Sequence, residues 1–513
     1  MKYALMTLVL ASYLLANQYT GVPSSRSFQI VTHDTNNVEL YISNFGKFAQ
    51  DERGGPGCFW PKGSGNTYIF GAGAWFGTID SLTTDTLVSV GYGPHGGESE
   101  FVPGLKTQDP GSPVAIIYMH PENWPPPADS YPMAPQDIVS HEDSWCCYND
   151  CDSNYHIPGD TRPIGIEVFQ TGYAWDISEI EDVVFLMYEF KNVTEHVLHD
   201  CYIGVVVDGD IGAPGDDRTA GIVGKWYEIN SDSLWVDNIG YTWDETGAGV
   251  CGLDLLQTPF DLEEGQDKDS DGIPDQFERD STYYVNNLPS EMWDVDLDNV
   301  PDWRDPSQWP QLGMTAFKRF MLQVEPNLDP ERYLTLAGYN YLTGEYEPYD
   351  TAASDPDDMR FLLSSGPFDL MPDSTAAFVF AIMLANWFGI YETPDTALVL
   401  VDKYAQDYYD MYWYLYTGVA EFSPQEKLPL QLFVQPNPAS HHISIVYSSC
   451  ASGNVSLKLY DVLGRLQRDI FQGYQSAGTY SLNVTTRGMS QGTYFLVFET
   501  PERKQSVPIV IVR

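Results

Sequence analysis

The chain has 513 residues, of which 14% are aromatic, together with 43 Gly and 35 Pro, and its formal net charge is −46. The length suffices for several domains, and many aromatic and turn residues favour a mostly β protein. The charge excludes nucleic acid as a partner, because phosphates require a basic surface, and it disfavours anionic membranes.

The N-terminus has the layout of a secretory signal peptide, which we assign to residues 1–20. Lys2 precedes an apolar run over 3–16, and small and polar residues follow. This run is too short to span a bilayer, and no later segment is long and apolar enough to do so. We therefore expect a secreted or cell-surface protein without a transmembrane segment.

Residues 25–420 form an acidic, β-rich body of unknown function. Short apolar runs such as 68–77, 183–190 and 202–207 are separated by Gly, Pro, Asp and Asn, which predicts a large β-sandwich-type body. Residues 393–416 are the exception, since apolar side chains recur there at helical spacing. This pattern predicts one long helix that packs on its own sheet, through Leu398, Val401, Tyr404, Tyr408, Tyr412 and Leu415.

Two smaller features of the body leave alternatives open. The seven cysteines could form disulfides or remain thiols in an exported protein, and Cys146, Cys147 and Cys151 with nearby histidines could form a zinc site. A second acidic cluster follows the predicted strand over 202–207. Its aspartates could hold a cation or form a solvated loop: Asp208, Asp210, Asp216 and Asp217.

The clearest chemical pattern is an acidic insertion at 263–305. Two twelve-residue segments, 27 residues apart, place oxygen ligands at loop positions 1, 3, 5, 7, 9 and 12, the spacing of a calcium loop. The first set is Asp267, Asp269, Asp271, the carbonyl of Ile273, Asp275 and Glu278. The second set is Asp294, Asp296, Asp298, the carbonyl of Val300, Asp302 and Asp305. We predict Ca²⁺ at both, with weaker binding at the second, where Asp305 replaces the longer Glu278.

Proline at loop position 8, Pro274 and Pro301, argues against paired EF-hands, because a proline cannot donate the backbone bond that joins such loops. The D-x-D-x-D-G-I-P-D segment resembles the thrombospondin type 3 repeat. That resemblance implies calcium in helix-free loops and a structural role outside the cell. The competing interpretation is a solvated acidic loop, which two complete matches within forty residues make less probable.

The C-terminal segment differs in charge from the body. Residues 431–513 carry seven basic and four acidic side chains, a net charge of +3, so residues 1–430 carry −49. We assign 421–432 to a linker and 433–513 to a β-sandwich of about seven strands. The P-N-P opening at 436–438, L-Y-D-V-L-G-R at 459–465 and two G-T-Y triplets resemble the C-terminal sorting domain of type IX secretion cargo. The resemblance implies an Ig-like sandwich and a Bacteroidetes-type exporter as partner, with the cargo released or attached to surface polysaccharide.

These features predict an exported calcium-binding protein with a structural or adhesive role, whose partners are the secretion machinery and a surface polysaccharide or another extracellular ligand. The alternative is a secreted hydrolase, such as a glycoside hydrolase, that uses a carboxylate pair. No catalytic motif supports an enzyme, and a cleft holding two carboxylates, one of them desolvated, would favour it.

Overall fold

The computed structural model describes residues 26–80, 83–93, 99–156, 161–229, 232–244, 249–268, 271–293, 295, 301–304, 308–412, 432–435, 439, 442–449, 453–461, 465–475, 478–487, 489–500 and 504–512. The predicted signal peptide and nearly all of the predicted linker lie outside these residues. The chain divides into two compact units, 1–134 with 140–418 and 135–139 with 419–513.

The first unit is built mainly from strands. In chain order they are β1 (Ile30–His33), β2 (Glu39–Ser43), β3 (Lys47–Phe48), β4 (Cys58–Phe59), β5 (Thr67–Ile79), β6 (Thr86–Val90), β7 (Val102–Pro103), β8 (Tyr118–Met119), β9 (Glu142–Asn149), β10 (Ile166–Ala174), β11 (Val183–Asn192), β12 (Leu198–Gly209), β13 (Asp217–Ile222), β14 (Lys225–Ile229), β15 (Asp232–Val236), β16 (Ile239–Asp244), β17 (Val250–Gln257), β18 (Ala316–Met321), β19 (Tyr339–Asn340), β20 (Glu345–Tyr346), β21 (Met359–Leu370) and β22 (Thr375–Ala385). Its helices are α1 (Ser281–Asn287), α2 (Asp329–Leu336) and α3 (Pro394–Tyr412).

Two nine-stranded antiparallel sheets share one core in this unit. The first has the order β1-β2-β3-β5-β12-β21-β18, with β4 and β6 attached, and the second has the order β13-β16-β17-β22-β11-β10-β9-β7, with β8 attached. Rings from opposite sheets meet in the core: Phe76 stacks on Phe190 at 5.4 Å and Phe48 lies 5.7 Å from Phe380. The mostly β architecture predicted for the body is confirmed, and two antiparallel sheets sharing one core are consistent with the predicted sandwich.

Glycines in β5 leave space for a tyrosine that packs directly against this strand. A Cβ at Gly71 would lie 2.2 Å from the Tyr92 ring, and one at Gly73 would lie 2.5 Å from the Tyr92 backbone nitrogen. The alternating glycines of this strand therefore leave room for Tyr92, whose hydroxyl donates to Asp208 at 2.6 Å.

Helix α3 covers the face of β17 and β22, as the apolar spacing predicted, and Leu398 and Tyr408 of the predicted stripe are buried. Leu398, Asp402, Ala405 and Tyr409 are buried, whereas Tyr404 is 39% exposed. A Cβ at Gly252 would approach Leu398 to 2.9 Å, so the helix lies close to β17. The part of the predicted helix beyond residue 412 is outside the described residues.

The second unit contains seven described strands, β23 (Leu432–Gln435), β24 (His442–Ser449), β25 (Gly453–Asp461), β26 (Leu466–Gln475), β27 (Gly478–Thr485), β28 (Gly492–Glu499) and β29 (Lys504–Ile511). They form two sheets, β23-β24-β27 and β26-β25-β28-β29. Alternate apolar residues of both sheets share a core, in which Tyr447 and Phe498 lie 4.8 Å apart. Strict alternation along β25 and β28 produces this one-sided burial.

The six described cysteines, at 58, 146, 147, 151, 201 and 251, are thiols rather than disulfides. Burial raises the pKa of Cys58 and of Cys201 to about 12, so both stay protonated. Cys146 and Cys147 are successive residues of β9 and therefore point to opposite faces of the sheet. No helix in the described part of the chain is long and apolar enough to cross a membrane.

Candidate cation-binding loops

The acidic insertion leaves the second sheet after β17 and rejoins the body at β18 of the first sheet, and a few hydrogen bonds close its base. The amide of Thr258 donates to Gln311 Oε1 at 2.8 Å, and the amide of Leu312 donates to the carbonyl of Pro259 at 3.0 Å. The amide of Asp261 donates to the carbonyl of Pro310 at 2.8 Å. The insertion is thus tied at both ends to the body.

The first predicted loop folds around Asp275. Its Oδ1 accepts from the Lys268 amide at 2.9 Å, while its own amide donates to the carbonyl of Gln266 at 3.0 Å. Gly272 has a φ of +94°, which glycine adopts without strain, and the Ile273 amide donates to Asp271 Oδ1 at 2.6 Å. These bonds fix the tight turn at the positions that the sequence pattern requires.

The second loop repeats the two bonds of Asp275 around Asp302, 27 residues later. Asp302 Oδ1 accepts from the Val295 amide at 3.1 Å, and the Asp302 amide donates to the carbonyl of Trp293 at 2.8 Å. A single 3₁₀ turn follows in each loop, over 275–277 and 302–304. The sequence repeat is therefore also a repeat of backbone structure.

Burial divides the predicted ligands of the first loop. Asp267 and Asp271 are exposed, whereas Ile273, Asp275 and Glu278 are fully buried. Asp275 Oδ2 has no hydrogen-bond partner although it is buried, which is costly for a carboxylate. Six predicted ligands lie outside the described residues: Asp269, Asp294, Asp296, Asp298, Val300 and Asp305.

A buried tyrosine lies beside carboxylates from both loops. The Tyr284 hydroxyl donates to Glu278 Oε2 at 3.0 Å, and its ring lies 5.1 Å from Trp303 of the second loop. Burial raises the pKa of Tyr284 far above its usual range, and the negative charges of Glu278, Asp302 and Asp271 add to this effect. Carboxylates of both loops therefore act on the same phenol.

The second acidic cluster separates into a neutralised and an unpartnered part. Asp208 is buried and pairs with Arg360 Nη2 at 2.9 Å; Arg360 also binds Glu325. By contrast, one carboxylate oxygen each of Asp210, Asp216 and Asp217 is buried without a hydrogen-bond partner. Sequence reasoning did not anticipate Arg360, which lies 152 residues from Asp208.

The pKa values of this cluster reflect burial and mutual repulsion. Burial raises the pKa of Asp217 to about 8, and the charges of Asp210, Asp216 and Asp244 add to the increase. Burial, followed by repulsion from Asp208, Asp358 and Asp216, raises the pKa of Asp210 to about 6. Among the described residues, no three His, Cys, Asp or Glu side chains form a ready-made metal-binding group.

An open groove of about 840 Å³ lies near the N-terminal strands and contains the carboxylate of Glu142. Although burial alone would raise its pKa, hydrogen bonding to His33 and to the amides of Asp34 and Thr35 lowers the pKa of Glu142. A carboxylate held ionised in this way can accept hydrogen bonds but is a poor proton donor at neutral pH.

The comparisons with solved structures give only distant similarities. PorZ, a surface component of the type IX secretion system of Porphyromonas gingivalis, is 19% identical over 19% of this chain and 13% of its own, with a TM-score of 0.13. Latent PorU from the same organism is 9% identical over 96% of this chain and 33% of its own, with a TM-score of 0.15. A polysaccharide lyase is 8% identical over 94% of this chain and 46% of its own, with a TM-score of 0.23.

The chain thus spans less than half the length of each of these structures, and TM-scores this low establish neither a shared fold nor a shared activity. No curated protein sequence matches the chain. The family described as "secretion system C-terminal sorting domain" matches residues 434–512, which are the strands of the second unit. This domain marks the protein as one exported by the type IX secretion system, either onto the cell surface or into the medium.

Proposed function

We propose that this exported protein is a structural or adhesive calcium-binding protein of the cell exterior, in which Ca²⁺ stabilises the insertion at 263–305. The observation that carries the proposal is the buried Asp275, whose Oδ2 lacks a hydrogen-bond partner within a loop of calcium-ligand spacing. The equivalent bonds around Asp302 in the second loop support it.

Calcium suits these loops for chemical reasons. The predicted ligands are all carboxylate or carbonyl oxygens, which hard cations prefer, and calcium accepts six to eight of them in flexible geometry. Residues 261–305 carry fifteen acidic and three basic side chains, so without counter-ions the segment repels itself. Binding energy would then contribute directly to the folding of the insertion.

Isothermal titration of the mature chain with CaCl₂ tests the proposal. We expect Asp275→Asn and Asp302→Asn each to lose one of the two binding events of the insertion, while Glu264→Gln, which removes an exposed charge from the same segment, retains both of them. Limited proteolysis should cut the insertion faster in chelator than in Ca²⁺. Equal cleavage in both conditions, or unchanged binding by Asp275→Asn, would contradict the proposal.

The adhesive part of the proposal is supported by an aromatic pair on the β14–β15 hairpin. Trp226 and Trp235 pair across the hairpin with rings 5.4 Å apart, and they are 63% and 53% exposed. Exposed tryptophans with polar neighbours such as Glu228 and Asp237 suit contact with sugar rings. We expect the protein to bind glycans on an array and Trp226→Ala to weaken that binding. Glycan binding that Trp226→Ala leaves unchanged would contradict a role for this aromatic pair.

The hydrolase alternative would require a desolvated carboxylic acid in a cleft. The groove carboxylate Glu142 has a lowered pKa, which suits a charged positioning group better than a general acid. These observations favour a binding protein over a hydrolase. If the protein hydrolysed a polysaccharide and Glu142→Gln abolished that activity, the hydrolase alternative would be correct.

A further inference from the structure

The loop over 210–216 connects the two sheets of the body. It leaves β12 in the interior of the first sheet and enters β13 at the edge of the second. The bridge between Asp217 and Asp357, in which the Asp357 amide donates to the carbonyl of Asp217 at 3.1 Å, ties the start of β13 to the segment before β21. The position of this loop therefore affects how both sheets are joined.

The loop is wrapped around the carboxylate of Asp217. Asp217 Oδ1 accepts from the Ile211 amide at 3.2 Å, which brings the two ends of the loop together. The amides of Asp210 and Gly212 donate to the carbonyls of Tyr68 and Thr67 at the start of β5, at 3.2 and 3.3 Å. The backbone is thus held on one side by β5 and on the other by a buried side chain.

Asp217 is fully buried, yet its Oδ2 has no hydrogen-bond partner. Asp210 Oδ1 and Asp216 Oδ1, which belong to the same loop, are likewise buried and unpartnered. The charges that act on Asp217 come from carboxylates, since Asp210, Asp216 and Asp244 all repel it. The guanidinium of Arg360, which neutralises Asp208 at the other end of the loop, is bound by Asp208 and Glu325.

We propose that a single hard divalent cation, Ca²⁺ in the exterior medium, binds at this crossover between Asp217 and the loop carboxylates of Asp210 and Asp216. Only oxygen ligands are offered, which selects against zinc and copper. The three carboxylates are not gathered as a preformed set, and calcium does not require one, since it accepts backbone carbonyls and water as further ligands. The loop is irregular, with Gly212 and Gly215 at positive φ, so the flexible coordination of calcium suits it better than the stricter geometry of magnesium.

This site is separate from the insertion, so its test begins with a chain in which mutations remove both insertion sites. The full mature chain carrying Asp275→Asn and Asp302→Asn should still bind one Ca²⁺ in calorimetric titration and should melt at a higher temperature in Ca²⁺ than in chelator. Adding Asp217→Asn should weaken this remaining binding by at least about tenfold. Asparagine keeps the acceptor for the Ile211 amide, so the loop should still fold.

Two further variants make the outcome decisive. Asp210→Asn with Asp216→Asn, which changes less buried positions, should also remove the remaining binding, whereas Asp355→Asn, an exposed change of equal charge, should not. Substituting MgCl₂ should give weaker binding. The proposal is overturned if the chain carrying Asp275→Asn and Asp302→Asn binds no Ca²⁺, or if its Ca²⁺ binding survives the addition of Asp217→Asn. It is also overturned if Asp217→Asn stabilises the chain equally with and without Ca²⁺, because Asp217 would then be a buried neutral acid.

Discussion

Each end of the β12–β13 connection carries a buried aspartate, and the two aspartates have different surroundings. Asp208, at the end of β12, faces Arg360 across the sheet and also accepts a bond from Tyr92. Asp217, at the start of β13, is equally buried but lies among other carboxylates. The protein neutralises the first charge with its own side chain, and the second requires a proton or an external cation. Acidity along the sequence therefore does not reveal which carboxylates are available to a ligand.

A third region, the contact of β17 with α3, shows neutralisation by a proton. Asp254 and Asp402 are both buried and hydrogen-bonded to each other. Burial raises the pKa of Asp402 to about 6, and burial, followed by the charge of Asp402, raises the pKa of Asp254 well above its usual range. A carboxyl pair that shares one proton needs neither an arginine nor a metal ion.

Removing the internal counter-charge should give the largest effect. Arg360→Met leaves Asp208 and Glu325 buried without their cation, so we expect the free energy of unfolding of the body to fall by about 3–5 kcal/mol. Urea denaturation followed by circular dichroism would measure it. A loss below about 1 kcal/mol would mean that Asp208 is neutralised in another way, and the contrast with Asp217 would disappear.

The Asp254–Asp402 pair predicts a pH dependence, because its second proton, on Asp402, is held more tightly in the folded state. Because the pKa of Asp402 is raised from 3.8 to about 6, the folded protein holds a proton that the unfolded chain has released between these values. Stability from this pair should be complete below pH 4 and should fall as the pH rises through about 6. Asp402→Asn should flatten that part of the profile of unfolding free energy against pH, while Asp407→Asn on the exposed side of α3 should leave the slope unchanged.

The two insertion loops allow a finer comparison. Loop position 12 is Glu278 in the first and Asp305 in the second, and the shorter side chain reaches a bidentate position less easily. We expect Asp305→Glu to raise the Ca²⁺ affinity of the weaker site several-fold without changing the stronger one. In a calorimetric titration, the affinities of the two insertion sites should then become more similar. An unchanged affinity of the weaker site would show that local charge or backbone geometry, rather than side-chain length, sets it.

The smallest effect should come from a solvated pair on α3. Lys403 and Asp407 lie 2.6 Å apart at i,i+4 spacing, and both side chains are more than 40% exposed. Lys403→Ala should change the free energy of unfolding by no more than about 0.5 kcal/mol, because water screens such pairs. This variant also serves as the surface control for Arg360→Met in the same denaturation experiment.

Sequence reasoning succeeded where the relevant residues are close along the chain. The sorting domain, the mostly β composition and the 27-residue repeat are local patterns, and the repeat reappears as equivalent bonds around Asp275 and Asp302. The helix over 394–412 was also predicted, although Tyr404 was assigned to its buried face and is exposed. The spacing predicted which side of the helix is buried, but the exposure of Tyr404 depends on how closely the neighbouring strands approach that position.

The sequence by itself determined that the chain is exported, mostly β and provided with two acidic loops of calcium-ligand spacing. Only the tertiary structure decided which carboxylates are buried and what neutralises each one. Asp208 meets Arg360 because β12 pairs with β21, Asp254 meets Asp402 because α3 covers β17, and Asp217 meets neither an arginine nor a shared proton. The physical reason is that burial and electrostatic pairing depend on contacts between distant strands, whereas ligand spacing depends on neighbours along one loop.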